Sequence, residues 1–266
     1  MSEANQEFYS FSANNLRGNS VFHVVNRLRL SLLTGEYPKG TKIREIPLAE
    51  QYGVSRGTVR TALQKLESEG LVLRLSNGRR ISQGFDLRQI KDLYEVRRML
   101  ELKAAETILK FPELTRHKTL TSLASLARRT NRTQSGDRVL SVEERIERDA
   151  DLHRFIVVAS GNYSLLQCWK SIEAVMWTIL HINATLSDPQ KHFAIYKGHD
   201  NIVDLLFKGD DRVLKALGEH IDLSENLITD FLLQLHQNTL DFSEGREKPP
   251  RMISRAYVQK IYRKKG

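Results

Sequence analysis

The sequence has almost no cysteine. Cys168 is the only one in 266 residues, so no disulfide framework can form within the chain and a reducing cytoplasm is the expected compartment. Long apolar runs are also missing. A membrane-spanning helix needs roughly 18 consecutive apolar residues. The best candidate, Ile172–Ile182, is shorter and carries Glu173 and His181. The opening stretch MSEANQEFYSFSANNLRGNS has no basic start followed by an apolar segment, so no signal peptide is expected. No internal repeat is visible, and strand-like alternation is confined to one short region. What remains is a soluble chain long enough for two compact domains.

The charge is uneven. The chain carries 41 Lys+Arg against 32 Asp+Glu, a net +9. Residues 1–85 hold 12 basic and 7 acidic side chains, residues 86–240 hold 21 and 22, and residues 241–266 hold 8 and 3. Basic ends flank a neutral middle. That pattern suits a polyanion-binding head on a body with another task. A mildly basic segment is also common in soluble proteins, so charge alone leaves both readings open.

Residues 1–18 are polar and aperiodic and read as a flexible lead. From 19 to 84 the pattern is that of a winged helix-turn-helix. Val21, Val24, Val25, Leu28 and Leu32 predict a first helix that stops near Gly35. Pro47 opens a short second helix to Tyr52, and Gly53 breaks it. Ser55 is a good N-cap for a third helix reaching about Glu69, ended by Gly70. LVLRL and RRISQ then flank Ser76-Asn77-Gly78, which predicts two strands around an Asn-Gly turn. From 85 to 240 the periodicity is helical nearly throughout. Helices are expected at 88–110, 114–131, 141–159, 163–185, 191–207 and 211–237. The fold class is therefore mainly α, a winged helix-turn-helix followed by an all-α antiparallel bundle. Residues 241–266 form a basic tail, either disordered or weakly amphipathic.

On a helical wheel the third helix has two faces. Val59, Ala62, Leu63 and Leu66 share one arc, which should pack inward. Gly57, Arg60, Thr61 and Gln64 share the other, with Arg56 at its border. The N-terminal part of such a free face is what a recognition helix presents to a groove. Arg56 and Arg60 can grip guanine or phosphate. The Ser55 and Thr58 hydroxyls suit phosphate oxygens, and Gly57 allows close approach. Asn77, Gly78 and Arg79 place a cation at the wing tip. A capped, solvated helix with incidental arginines is the plain alternative. The order of elements argues against it more than any one residue does.

The run LSLLTGEYPKGTKIREIPLAEQYGVSRGTVRTALQKLESEGLV resembles the DNA-binding domain of the GntR family of bacterial regulators. The Gly-containing turn falls at Gly35–Thr41, and the pattern LA-x-x-x-GVSR-x-x-VR-x-AL-x-x-L-x-x-x-GL runs from Leu48 to Leu71. Family members often have Thr-Pro after Ser-Arg and Glu before Ala-Leu. Here Gly57-Thr58 and Thr61 stand at those places, which puts the operator sequence in question but not the fold. Double-stranded DNA with a palindromic operator, bound by a homodimer, is the partner that this resemblance implies. The all-helical body resembles the FCD type of the FadR branch, in its six-helix, VanR-like variant. LYEVRRMLELKAAETIL at 93–109 looks like its opening helix.

Asp149 and His153 are four residues apart and so face the same way on one helix. His199 and His220 follow on two later helices. One carboxylate and three imidazoles from three helices can converge on a transition metal. Similar ligands bind metal in many FCD domains. The implied cofactor is a divalent ion, with zinc placed first among zinc, nickel, manganese and iron. Open coordination positions would suit a small carboxylate effector, with Arg97 as its partner. Arg97 pairing only with Glu101, its i+4 neighbour, is an equal reading. His181 and His192 are spare histidines, Asn162 reads as a helix cap, and Trp169 and Trp177 read as core. The resulting expectation is a cytoplasmic, ligand-responsive transcription regulator with no membrane association and no catalytic residues. The alternatives are a metal-dependent hydrolase with a DNA-binding head, and a metal-free regulator whose four residues form a polar core patch.

Overall fold

The computed structural model describes residues 20–121, 142–186 and 189–243. The expected lead over 1–18 lies outside these residues, as do most of the predicted helix at 114–131 and the tail beyond 243. The chain forms two compact units that divide between Phe85 and Asp86. Among the described residues, no helix is long and apolar enough to cross a membrane.

The first unit holds α1 (Ser20–Leu33), β1 (Lys42–Ile43), α2 (Glu45–Tyr52), α3 (Arg56–Ser68), β2 (Val72–Arg74) and β3 (Arg80–Ser82). Two helices joined by a tight turn are followed by a small antiparallel sheet of order β1-β3-β2. The turn between α2 and α3 needs Gly53, whose φ of 64° is left-handed. Ser55 then caps α3 by accepting from the Thr58 backbone N–H at 3.0 Å. Leu28, Leu48, Val59, Leu63, Leu66 and Leu71 close the core between the helices and the sheet. Arg29 of α1 donates to both oxygens of Glu69, at 2.8 and 2.7 Å, and ties α1 to the end of α3.

Two features depart from the sequence expectation. Helix α2 starts at Glu45, so Pro47 lies inside its first turn, where no N–H is needed. The sheet also has a third strand. Lys42 and Ile43 pair with Ile81 and Arg80, which fastens the wing to the chain just before α2.

The second unit contains α4 (Leu87–Leu109), α5 (Val142–Ala159), α6 (Tyr163–Leu186), α7 (Pro189–Lys208) and α8 (Arg212–Ser243). A further helical segment runs over 113–121. Among the described residues this unit has no strand. Helix α4 starts at a reciprocal cap: Asp86 Oδ1 accepts from the Gln89 backbone N–H, and Gln89 Oε1 accepts from the Asp86 N–H, both at 2.9 Å. It then packs against α5, α6 and α7. Ile90, Ala104 and Ile108 of α4 join Ile156, Ile179, Leu206 and Ile221 in the core. Helix α7 begins at Pro189 itself, where the sequence reading placed a break. Proline tolerates the first helical position because its missing N–H has no partner to lose there.

Candidate metal centre and nucleic-acid interface

Helix α3 has the two faces that its sequence predicts. Val59, Ala62, Leu63 and Leu66 are buried, while Arg56, Gly57, Arg60 and Thr61 are exposed. The hydroxyls are already engaged. Ser55 Oγ and Thr58 Oγ1 lie 2.9 Å apart in a hydrogen bond, and Thr61 Oγ1 donates to the Gly57 carbonyl at 3.1 Å. Asn77, Gly78 and Arg79 form an exposed wing tip, shaped by Asn77 Oδ1 accepting from the Arg79 backbone N–H at 3.0 Å. Lys42, Arg44, Arg79 and Arg80 line one cleft between β1 and the wing. Sequence reasoning missed Lys42 and Arg44 because nothing along the chain places them beside the wing.

Gly57 is not required by its own backbone. A Cβ there would meet only Ser55 Oγ, at an ordinary 3.6 Å. Gly57→Ala is therefore expected to stabilise the free protein by about 0.4–1 kcal/mol. With α3 docked as a recognition helix the methyl would stand toward the DNA, and the same change should weaken DNA binding roughly tenfold or more. Thermal melting and a mobility-shift titration check the two halves of this expectation.

In the second unit, Asp149 and His153 project from one face of α5, His199 comes from α7 and His220 from α8. All four are buried, and their donor atoms lie within 4.8 Å of one another. His153 Nε2 is 3.0 Å from His220 Nε2, and His220 Nε2 is 3.2 Å from His199 Nε2. Asp149 Oδ1 is 2.9 Å from His199 Nε2 and 3.5 Å from His153 Nε2. Two nitrogens or oxygens held about 2.0–2.1 Å from one zinc ion lie roughly 2.9–3.4 Å apart at angles of 90–109°. Three of the four spacings, 2.9, 3.0 and 3.2 Å, fall in that range, and the fourth, 3.5 Å, lies just beyond it.

Proton arithmetic supports the same fit. His153 Nδ1 faces Glu101 Oε2 at 2.6 Å, so in the neutral ring the Nδ1 carries the proton and Nε2 presents a lone pair. His220 Nε2 has at most one proton for two neighbouring Nε2 atoms. Asp149 Oδ1 is buried without a hydrogen-bond partner, despite its short contact with His199. The cluster thus has more lone pairs than protons between them, and a cation is the natural complement. Burial pushes the Asp149 carboxyl up, but the His153 and His199 imidazoles outweigh it and hold it well below the usual range. Burial, then the neighbouring His199 and His153, depress His220. Burial also opposes charge on His153, yet Glu101 and Asp149 raise it overall.

Arg97 makes the pairing with Glu101 that its i+4 spacing offers. Its Nε donates to Glu101 Oε1 at 2.7 Å, and the pair is almost fully buried, at 1% and 0% exposure. Its Nη1 has no partner. Glu101 therefore bridges Arg97 and His153. A carboxylate behind a histidine fixes the tautomer and the ring orientation, a role that sequence reasoning did not assign. Arg97, His153, Trp169, Glu173 and Trp177 line a small cavity beside the cluster. Trp169 is core, as expected, but its Nε1 is buried without a partner. Trp177 is only half-buried and stacks on His181 at 5.5 Å, so it is wall rather than core. His181 is not among the four convergent groups, and the side chain of His192 lies outside the described residues. Asn162 caps α6 by accepting from the Leu165 N–H at 3.1 Å.

Comparison with known proteins agrees with both halves of the molecule. Residues 22–80 match the model of "Bacterial regulatory proteins, gntR family", and residues 92–223 match that of the FCD domain. The chain is 30% identical over 202 residues to the probable D-xylose utilization operon transcriptional repressor of Paenarthrobacter nicotinovorans, covering 72% of this chain and 81% of that protein. It is 24% identical to the gluconate operon transcriptional repressor of Bacillus licheniformis, over 82% and 88% of the two chains. A crystal structure of a GntR regulator from Rhodococcus sp. RHA1 shares the fold, with a TM-score of 0.53 at 19% identity, covering 79% of this chain and 98% of that one. These relatives are transcription regulators, so the hydrolase reading is set aside and the chain is not an enzyme. The chain belongs to the GntR family of bacterial transcription regulators, in the branch that carries an FCD domain.

Proposed function

We propose that this protein is a homodimeric, cytoplasmic repressor that binds a palindromic operator and responds to a small organic acid held beside a divalent metal. The observation that carries the reading is the convergence of Asp149 Oδ1 with the Nε2 atoms of His153, His199 and His220 at ligand-to-ligand spacing. These four residues would hold the ion, and Glu101 would orient His153. Nitrogen and oxygen donors of this mix suit zinc, nickel, manganese or iron, with zinc first. When bound, the ion supplies a Lewis-acidic partner for a ligand oxygen.

Arg97 Nη1 and Trp169 Nε1 are two buried donors without partners that line the same cavity. The cavity as it stands, at about 10 Å³, has room for no more than a water, so the two oxygens of a carboxylate would satisfy these donors once its walls part. One group of relatives is named for a gluconate operon, and gluconate is a sugar acid, which supports an effector of that type; the relative named for a D-xylose operon points to a sugar without the acid group. In the head, Arg56, Gly57, Thr58, Arg60 and Thr61 would face the major groove. Ser55 would hold the start of α3, and Asn77, Gly78 and Arg79 would reach the adjacent backbone. Effector binding would alter operator affinity by favouring one spacing of the two heads of the dimer.

The test uses full-length protein purified without a histidine tag. Elemental analysis should find about one divalent metal per chain. DNA from upstream of the gene should be shifted in a salt-dependent way, with the affinity changed by a sugar acid only in the metal-loaded form. Stoichiometric absence of metal, with an effector response that survives chelation, would favour the metal-free regulator. Operator binding that survives Arg60→Ala would sink the docking model.

A further inference from the structure

Arg60 stands on the groove-facing side of α3 with 60% of its side chain exposed, and yet it is not loose. Its Nε donates to Glu45 Oε1 and Oε2 at 3.1 and 3.2 Å, and its Nη2 donates to Oε2 at 2.9 Å. Glu45 is the first residue of α2. The carboxylate is itself anchored from behind. Arg80 of β3 donates through Nη1 to Glu45 Oε1 at 2.8 Å, and its Nε donates to Glu67 of α3. Arg80 is largely buried, with 9% exposure. The carboxyl of Glu45 is held below its ordinary value by Arg60 first, against partial burial, and then by Arg80. Four residues from two helices and a strand thus form one chain of alternating charge, and its outer member is by far the most exposed, at 60% against 22% for Glu45, 9% for Arg80 and 20% for Glu67.

The edge of Arg60 that Glu45 takes is informative. A guanidinium offers five N–H groups in a rigid plane. Glu45 occupies the side edge, made of Nε and one hydrogen of Nη2. The end edge, made of Nη1 and the other hydrogen of Nη2, stays open, and Nη1 has no hydrogen bond among the described residues. Two parallel N–H donors on an end edge are what guanine O6 and N7 accept in the major groove. A side chain already held in position gives up less freedom on binding. The neighbouring carboxylate also offsets the arginine's charge, which weakens its attraction to phosphate at any sequence. Both effects widen the gap between one base and the rest, because specificity is a difference of affinities.

We propose that Glu45 is a specificity-determining residue of the DNA interface, holding Arg60 by its side edge so that the open end edge reads a guanine. Arg80 and Glu67 position Glu45. The inference rests on the docking of α3 proposed above.

Selection of full-length protein on a randomised duplex, followed by affinity measurements on single-base variants across a range of salt, tests it. Arg60→Ala should lose the preference for guanine at one position in each half-site. Glu45→Ala should lose that same preference by roughly tenfold, while the preferences at other positions stay. Its affinity for random duplex should rise severalfold, with a log-affinity against log-salt slope steeper by about 1. Glu45→Gln keeps the volume and one acceptor, and should lie between the two. It carries the same readout if Glu45→Ala does not fold. A Glu45→Ala or Glu45→Gln protein with unchanged guanine preference, or with all positions weakened equally, overturns the proposal. So does an Arg60→Ala protein that keeps its base preference. An Arg60→Ala protein that binds specific and random DNA as the parent does defeats the docking model itself, and is recognised by the absence of any change in the salt slope.

Discussion

Replacing Glu101 with alanine is expected to destabilise the helical unit by about 3–5 kcal/mol, the range for removing one partner of a buried ion pair. Arg97 lies almost wholly out of solvent, and its Nε has Glu101 as its acceptor. Without Glu101 a guanidinium stays buried without its hydrogen-bonded counter-charge, and only the weaker influence of Tyr94 and Asp149 remains. Burial opposes the charge on Arg97, and it is chiefly Glu101 that offsets the opposition. His153 loses its Nδ1 partner in the same step. Zinc affinity should therefore fall by about 10–100-fold, as is usual when the group behind a histidine ligand is removed. The double variant Arg97→Met/Glu101→Leu separates the two effects. It should recover most of the stability, because a well-packed apolar pair replaces a buried ionic one at little cost. Its zinc affinity should remain low. Urea unfolding reads the first quantity and competition with a chromogenic chelator reads the second. An unchanged urea midpoint in Glu101→Ala would show that Arg97 does not depend on this partner.

Zinc itself should stabilise the protein by roughly 3–4 kcal/mol when free ion exceeds its dissociation constant by 100–1,000-fold. His153→Ala should abolish that gain, and Asp149→Asn should remove most of it. The pH dependence has a defined sign. The folded-state pKa of His153 is raised above 6.5. In the metal-free protein its contribution to stability is complete below the unfolded value and is lost as pH rises through the raised one. Zinc requires the neutral ring, so the proton on His153 competes with it. His220, held far below its ordinary value, has no proton to surrender there. The difference in melting temperature between zinc-loaded and chelated protein should therefore grow from about pH 6 to about pH 8. A difference that shrinks over that interval would mean that His153 is not a ligand.

The head was more legible in the sequence than the chemistry of the body. Caps and turns are local signals, and Ser55, Gly53 and the Asn77-Gly78 pair mark their elements within a few residues. Strand β1 left no such signal, since Lys42 and Ile43 are too few to alternate. Its pairing with β3 is what brings Arg80 to Glu45, across 35 residues. In the body, the i,i+4 spacing of Asp149 and His153 is visible in any helical reading. Glu101 behind His153 is not, because 52 residues separate them and no periodicity links α4 to α5. The two readings of Arg97 looked exclusive along the chain. In three dimensions one nitrogen takes the neighbour and another is left over, so the guanidinium has room for both.

Gly198 precedes His199 on α7, and a Cβ built on it would come within 3.3 Å of His220 Nδ1. A residue with no side chain therefore sets how near two of the four donors approach. One added methyl there would shift the His220 imidazole by a few tenths of an ångström while leaving the identity of all four donors unchanged. Position 198 is thus where inheritance can retune the spacing of the four side chains without altering their chemistry.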